Sequence, residues 1–170
     1  MFPAANINII YLTTKDMDNN FAKRLKKRLI SDLRVELSEE FDRNFERKAF
    51  FSKRWKPRRY HNPKGTLLMV TGKLRRSIQS HETDHGVRFT SQVPYASIHN
   101  EGGKGTKPVR AHNRRTPKGN ITTVRAHSRS FNMPQRQFIG DSPETRRIIG
   151  DVIEDNVKAL DKEIASMLRR

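Results

Sequence analysis

From Phe21 an apolar residue falls at every fourth position, through Leu25, Leu29, Leu33, Leu37 and Phe41 to Phe45. Neither proline nor glycine interrupts the chain between Asp16 and Phe50, so the spacing predicts one long helix over 16–50. Thr13, with Asp16 three residues later, would open it as the aspartate form of a capping box. On a helix of about 3.6 residues per turn a four-residue repeat drifts by roughly 40° per step, and six steps carry the stripe about two thirds of the way round. No single flat surface covers such a stripe. The two ends of the helix are therefore expected to meet different partners, one of which could be another subunit.

Downstream the pattern shortens. Phe50 to Gly65 mixes aromatics, cations and turn formers and reads as a loop, with Trp55 as a core anchor. Thr71 is placed to cap a short helical turn on which Leu74 and Ile78 share a face, and an extended segment should follow to Thr83. Asp84-His85-Gly86 reads as a three-residue hairpin loop with glycine in the left-handed position, because Val87, Phe89 and Ser91 alternate beyond it. Tyr95 to Asn100 suggests a second helical turn, closed by Gly102-Gly103. Residues 104–132 show little periodicity and read as a long basic excursion, with Ile121 to Val124 as a short strand in a protruding hairpin. Asp141-Ser142-Pro143-Glu144 then offers a cap and a proline at the first helical position. A helix over 143–169 follows, with Ile149, Val152, Ile153, Val157, Leu160, Ile164, Met167 and Leu168 on its apolar side. No internal repeat is evident. The fold class is α+β in one domain over 1–170: a long N-terminal helix, a small antiparallel sheet with short helical turns and loops over 66–140, and a C-terminal helix packed on the sheet.

Charge changes the picture more than composition does. The chain carries 35 Lys and Arg against 18 Asp and Glu, a formal net charge of +17, well beyond the magnitude of about 2–8 that solubility calls for. Arg47 to His81 holds eleven Lys or Arg and no acid, and Gly102 to Gly140 holds nine and again no acid. Such tracts attract nucleic acid, an anionic surface or an acidic protein face. Lys104, Lys107, Arg110, Arg114, Arg115, Lys118, Arg125 and Arg129 are the candidate contacts to DNA or a partner. With Phe50, Phe51, Trp55, Tyr60 and Phe131, the two tracts have the composition of a phosphate-and-stacking surface. The absence of cysteine removes disulfides and thiolate metal sites and suits a reducing compartment. A basic-then-apolar leader and an apolar run of about eighteen residues are both lacking, so neither secretion by signal peptide nor membrane spanning is expected.

His81-Glu82-Thr83-Asp84-His85 matches the H-E-x-x-H pattern, in which a helix sets two imidazoles on zinc and a glutamate on the attacking water. A continuous helix from Thr71 would be needed, with His99 or Glu101 as third ligand, and Gly86 with the alternation after it favours a hairpin instead. Gly102-Gly103-Lys104-Gly105-Thr106-Lys107 lacks the spacing of a phosphate-cradling loop. Asn120-Ile121-Thr122 matches a glycosylation pattern that means nothing without secretion. Neither a serine elbow nor a thiol nucleophile is available.

Five blocks in order carry a resemblance. They are a long N-terminal helix, then Phe45 and Phe50 ahead of Trp55, then Thr71-Gly72-x-Leu74-Arg75-x-Ser77-Ile78, then Tyr95-Ala96-x-Ile98-His99-x-x-Gly102-Gly103, then Pro134-x-Arg136-x-Phe138-x-Gly140 before the C-terminal helix. In this order the chain resembles the phage virion-morphogenesis or tail-completion proteins, of the Mu protein G-like, neck or tail-terminator type. The resemblance implies a non-catalytic α+β subunit without cofactor or metal that joins phage assembly late, as a homo-oligomeric ring in tail completion or head–tail joining. It further implies partners among tail-tube, tail-terminator or connector proteins, contact with DNA passing the lumen, and a place in the virion or in the host cytoplasm during assembly. The motif residues Trp55, Thr71, Gly72, Leu74, Arg75, Ser77, Ile78, Tyr95, Ala96, His99, Gly102, Gly103, Pro134, Arg136 and Phe138 would be scaffold. The 104–132 excursion is larger and more basic than that pattern, and Glu101 stands where an apolar residue is expected.

Overall fold

The computed structural model describes residues 7–9, 20–60, 63–167 and 169. The Thr13–Asp16 capping box and Leu168 lie outside the described residues, as do the side chains of Phe21 and Met167. The fold is α+β, as the patterning predicts. Strand β1 (Ile7–Ile9) is followed by helix α1 (Asn20–Arg47), and the winding stripe behaves as its drift requires. Leu33, Leu37, Phe41 and Phe45 are buried, while Leu25 and Leu29 are half-buried.

The two stretches of that stripe meet different elements of the same chain. Strands β4 (Ile78–Thr83) and β5 (Gly86–Ser91) join β1 in an antiparallel sheet of order β1-β5-β4. Phe41 meets Phe89 of β5 edge-on with ring centroids 5.0 Å apart, and Ser38 donates to Ser80 of β4 at 3.0 Å. Towards its start α1 lies along α4 (Pro143–Met167), where Asn156 Nδ2 donates to Asp32 at 2.9 Å. Helix α4 begins as read: Thr145 N donates to Ser142 Oγ at 3.0 Å, with Pro143 at the first helical position.

Two local expectations need correction. The hairpin loop contains two residues, Asp84 and His85, because Gly86 already pairs with Thr83 as the first residue of β5. The short helix α2 (Lys73–Arg76) is capped by Gly72, whose φ of 67° lies in the left-handed region; Thr71 Oγ1 accepts only a 3.3 Å bond from Lys73 N. The loop expected after Phe50 holds a minimal hairpin of β2 (Ala49–Phe50) and β3 (Lys53–Arg54). From there Trp55 is buried against Phe45, with centroids 5.7 Å apart.

Residues 134–140 join the parts without being helix or strand, so their buried backbone groups need side-chain partners. Trp55 Nε1 donates to Gln137 O at 2.6 Å. Asn44, wholly buried on α1, donates from Nδ2 to Phe138 O at 3.2 Å and accepts from Phe51 N at 2.9 Å. Asn100, on helix α3 (Ala96–Glu101), accepts from Phe138 N at 2.9 Å and Ile139 N at 3.1 Å. Three elements thus hold one seven-residue stretch, and Phe138 completes the core against Phe45. Replacing Asn100 by alanine strands two buried N–H donors and is expected to cost about 2–4 kcal/mol, read as a lower urea midpoint at unchanged slope; stability within error of the parent would refute the clamp.

Candidate partner and nucleic-acid interface

The excursion is an ordered arm. Strand β6 (Gly103–Val109), β7 (His112–Arg115), β8 (Ile121–Val124) and β9 (His127–Met133) fold into two successive antiparallel ribbons, β6-β9 near the body and β7-β8 beyond it. The strand expected over Ile121–Val124 is β8. The other three strands were illegible because both faces of the ribbon are polar and no two-residue alternation marks them. At the tip Thr116 N donates to Asn120 O at 2.8 Å and Gly119 N to Thr116 O at 2.9 Å.

All eight candidate cations sit on this arm and all are exposed: Lys104 and Lys107 on β6, Arg114 and Arg115 on β7, Lys118 at the tip, Arg129 on β9, and Arg110 and Arg125 between the ribbons. Lys107 lies directly opposite Arg129 in register, a like-charge pair that destabilises a ribbon in the absence of an anion. Phe131 shares that face, its ring lying over Gly105, where a Cβ would come within 2.8 Å of it. Between the ribbons the sequence repeats itself, a feature missed in the linear reading. Val109-Arg110-Ala111-His112 and Val124-Arg125-Ala126-His127 face each other across the arm. Val109 pairs with His127 and His112 with Val124, and each histidine Nδ1 lies 2.9 Å from the carbonyl of the arginine two residues before it. The two copies are related by a local two-fold, which places Arg110 and Arg125 symmetrically at the joint.

Apart from Gly103, which opens β6, the motif residues lie in the body. Leu74 and Ala96 are buried, and Ile78 opens β4 opposite Ser91. Ser77 Oγ lies 2.8 Å from Ser91 Oγ and donates to Leu74 O at 2.7 Å. Arg75 makes a two-pronged ion pair with Asp42 and reaches Glu46 at 2.8 Å, fastening α2 to α1; these hydrogen bonds raise its pKa further. Gly102, at φ 75°, ends α3 so close to Gln135 that a Cβ would stand 2.8 Å from its backbone nitrogen, and half-buried Pro134 follows β9. Arg136 is buried, with Nε donating to Lys56 O at 3.0 Å and Nη2 to Pro57 O at 3.3 Å, while its backbone N donates to His99 O at 2.8 Å.

Tyr95, His99, Thr71, Leu74 and Arg136 come together at a cavity of about 220 Å³, with Arg58, Lys73, Leu67, Leu68 and Val70 completing its wall. Burial, with the Arg58 charge behind it, lowers the Arg136 pKa; burial first and Arg136 second lower that of His99. Asn44, Asn100, Arg58 and Lys73 were not singled out in the sequence. A polar residue beside the buried Phe41–Phe45 step was the available signal for Asn44.

The zinc pattern does not survive folding. His81 and Glu82 are neighbours on β4, whose side chains point to opposite faces, and Glu82 pairs with Arg34 at 3.0 Å. Among the described residues no group of three His, Cys, Asp or Glu could hold a metal, and no helix is long and apolar enough to cross a membrane.

A family model described as the phage virion morphogenesis family matches residues 14–158, a span that takes in α1, strands β4 and β5, the arm and the first part of α4. No curated protein and no solved structure matches the chain.

Two outcomes follow from this geometry. Because the arm contributes almost nothing to the buried core, replacing 104–132 by a short Gly-Ser turn should leave the urea midpoint close to that of the parent, within about 0.5 kcal/mol; a large loss would mean that the arm braces the body. The folded-state pKa of His99 is below its unfolded value, so the unfolded chain binds the extra proton first and stability drops as pH falls below about 6.5. His99→Asn should flatten that acid-side loss in melts between pH 7.5 and 5, and an unchanged slope would refute it.

Proposed function

This chain belongs to the phage virion morphogenesis family, and on that premise we propose that it is a non-catalytic assembly protein acting in tail completion or head–tail joining as a homo-oligomeric ring. The context of its action is the virion and its assembly in the host cell. The observation that carries the reading is the division of labour within the chain. A body locked by asparagine clamps and a buried tryptophan holds out a free-standing arm with eight exposed cations and no acid. Isolated two-stranded ribbons are marginal in water. An arm that sets Lys107 against Arg129 is suited to settle on an anionic partner. Inside a ring that partner would be DNA passing through the lumen; at its edge, an acidic face of a tail-tube, tail-terminator or connector protein.

A second reading, a basic nucleic-acid-binding module, is favoured by the same arm, since an antiparallel ribbon fits the major groove of duplex DNA and the symmetric Arg110–Arg125 joint suits a two-fold backbone. The two readings separate in a prophage from which this gene is deleted. We expect induced lysates to hold heads and tails that are unjoined or incompletely finished, restored by the parent chain and not by one with Arg114, Arg115 and Arg129 changed to Glu. Complete infectious particles without the chain would overturn the assembly reading. If the arm neutralises about six phosphates, log affinity for duplex should fall with log salt at a slope of about −5; a slope near zero removes the nucleic-acid reading.

A further inference from the structure

The cavity walled by Arg58, Lys73, His99 and Arg136 gathers cations without an acid. Among its lining residues none is Asp or Glu. Arg136, only 6% exposed, rests on the carbonyls of Lys56 and Pro57 and on the sulfur of Met133 at 3.7 Å, and among the described residues it has no carboxylate partner. His99 Nδ1 is buried without a hydrogen bond. A buried cation without a counter-ion is costly, so an arriving carboxylate would gain more here than at an open surface. Apolar side chains form the rest of the wall, and Leu68 at the rim is held at φ 59°, a strained setting for a bulky residue. At about 220 Å³ the space falls below the roughly 300–1,000 Å³ of small-molecule sites and suits one or two protein side chains.

A matching surface lies on the chain itself. On α4, Val157 is 48% exposed and Ile164 43%, and Asp161 falls between them at the i+4 position, so the three share one face. Asp161 enters no ion pair among the described residues, and exposed Glu154, which Lys158 meets at 2.6 Å, flanks the same face, so Asp161 is the acid the ridge leaves open. At the cavity mouth the exposed apolar residues are Val70, 47% exposed, and Tyr95, 40% exposed. One surface is apolar and basic, the other apolar and acidic.

We propose that the cavity at Arg58, Lys73 and Arg136 receives the Val157–Asp161–Ile164 ridge of α4 from a second copy of this chain. The two surfaces differ, so the contact is heterologous and propagates from copy to copy until the rotation closes. The inference deepens the ring reading and rests on it, naming the faces that would meet.

The chain has no cysteine, which makes engineered thiols unique. Val70→Cys and Ile164→Cys both replace exposed residues, so the fold is kept. Mixed and oxidised, the two variants should give a disulfide-linked heterodimer that neither gives alone, and the double variant should give a ladder of multimers. In sedimentation, Lys73→Glu and Asp161→Lys should each weaken self-association at least about tenfold, and the chain carrying both should recover it. A mixture that cross-links no more than its single-thiol controls, or a double charge variant as weak as its parents, overturns the proposal. Rings that form without the 70–164 link overturn this interface and leave the assembly reading standing. A chain that stays monomeric at all concentrations and is dispensable for particle completion sinks both.

Discussion

The structure depends on how residues 134–140 are held. That stretch has no ladder or helix to satisfy its backbone, yet Phe138, Ile139 and Gly140 are buried, and a buried unpaired amide costs free energy comparable to a lost hydrogen bond. Asn44 from α1, Asn100 from α3 and Trp55 from beyond β3 supply the partners, converging from segments far apart in sequence. With them in place Phe138 fills the space beside Phe45, the chain can turn into α4, and α4 can lie along the first helix. The body is in this sense one polar lock with a hydrophobic core closed around it.

What was legible in the sequence follows from the strength of periodic signals. The helix stripe of α1, the Ser142-Pro143 opening of α4 and the Val87–Phe89 alternation each bury one face, so the pattern and the fold carry the same information. The arm buries neither face. Its strands are specified by cross-strand pairing alone, and only β8, with Ile121 and Val124, left a trace. Asn44 and Asn100 were hidden for another reason: a buried asparagine is indistinguishable from a surface one until its backbone partners are known. The H-E-x-x-H match failed because Gly86 and its alternation enforce a strand, and a strand turns adjacent residues to opposite faces. The Val-Arg-Ala-His repeat was in plain sight but acquired meaning only when folding placed its copies opposite each other.

Charge is segregated along the same lines as order. Acids of the body are used within it, Asp42 and Glu46 of α1 on Arg75 and Glu82 of β4 on Arg34, whereas among the described residues the cations of the arm meet no acid. A chain of net charge +17 that sets eight of its cations, with no acid among them, on an outstretched ribbon is arranged for contact with something negative outside itself. Membership of a virion morphogenesis family supplies the setting of that contact, the assembly of a phage particle.

Averaged electron micrographs of particles assembled with and without the chain test the central claim most directly. The account predicts a ring of density at the tail end or head–tail junction that vanishes when the gene is deleted and loses its inner projections when 104–132 is removed. Identical density in all three preparations would contradict it.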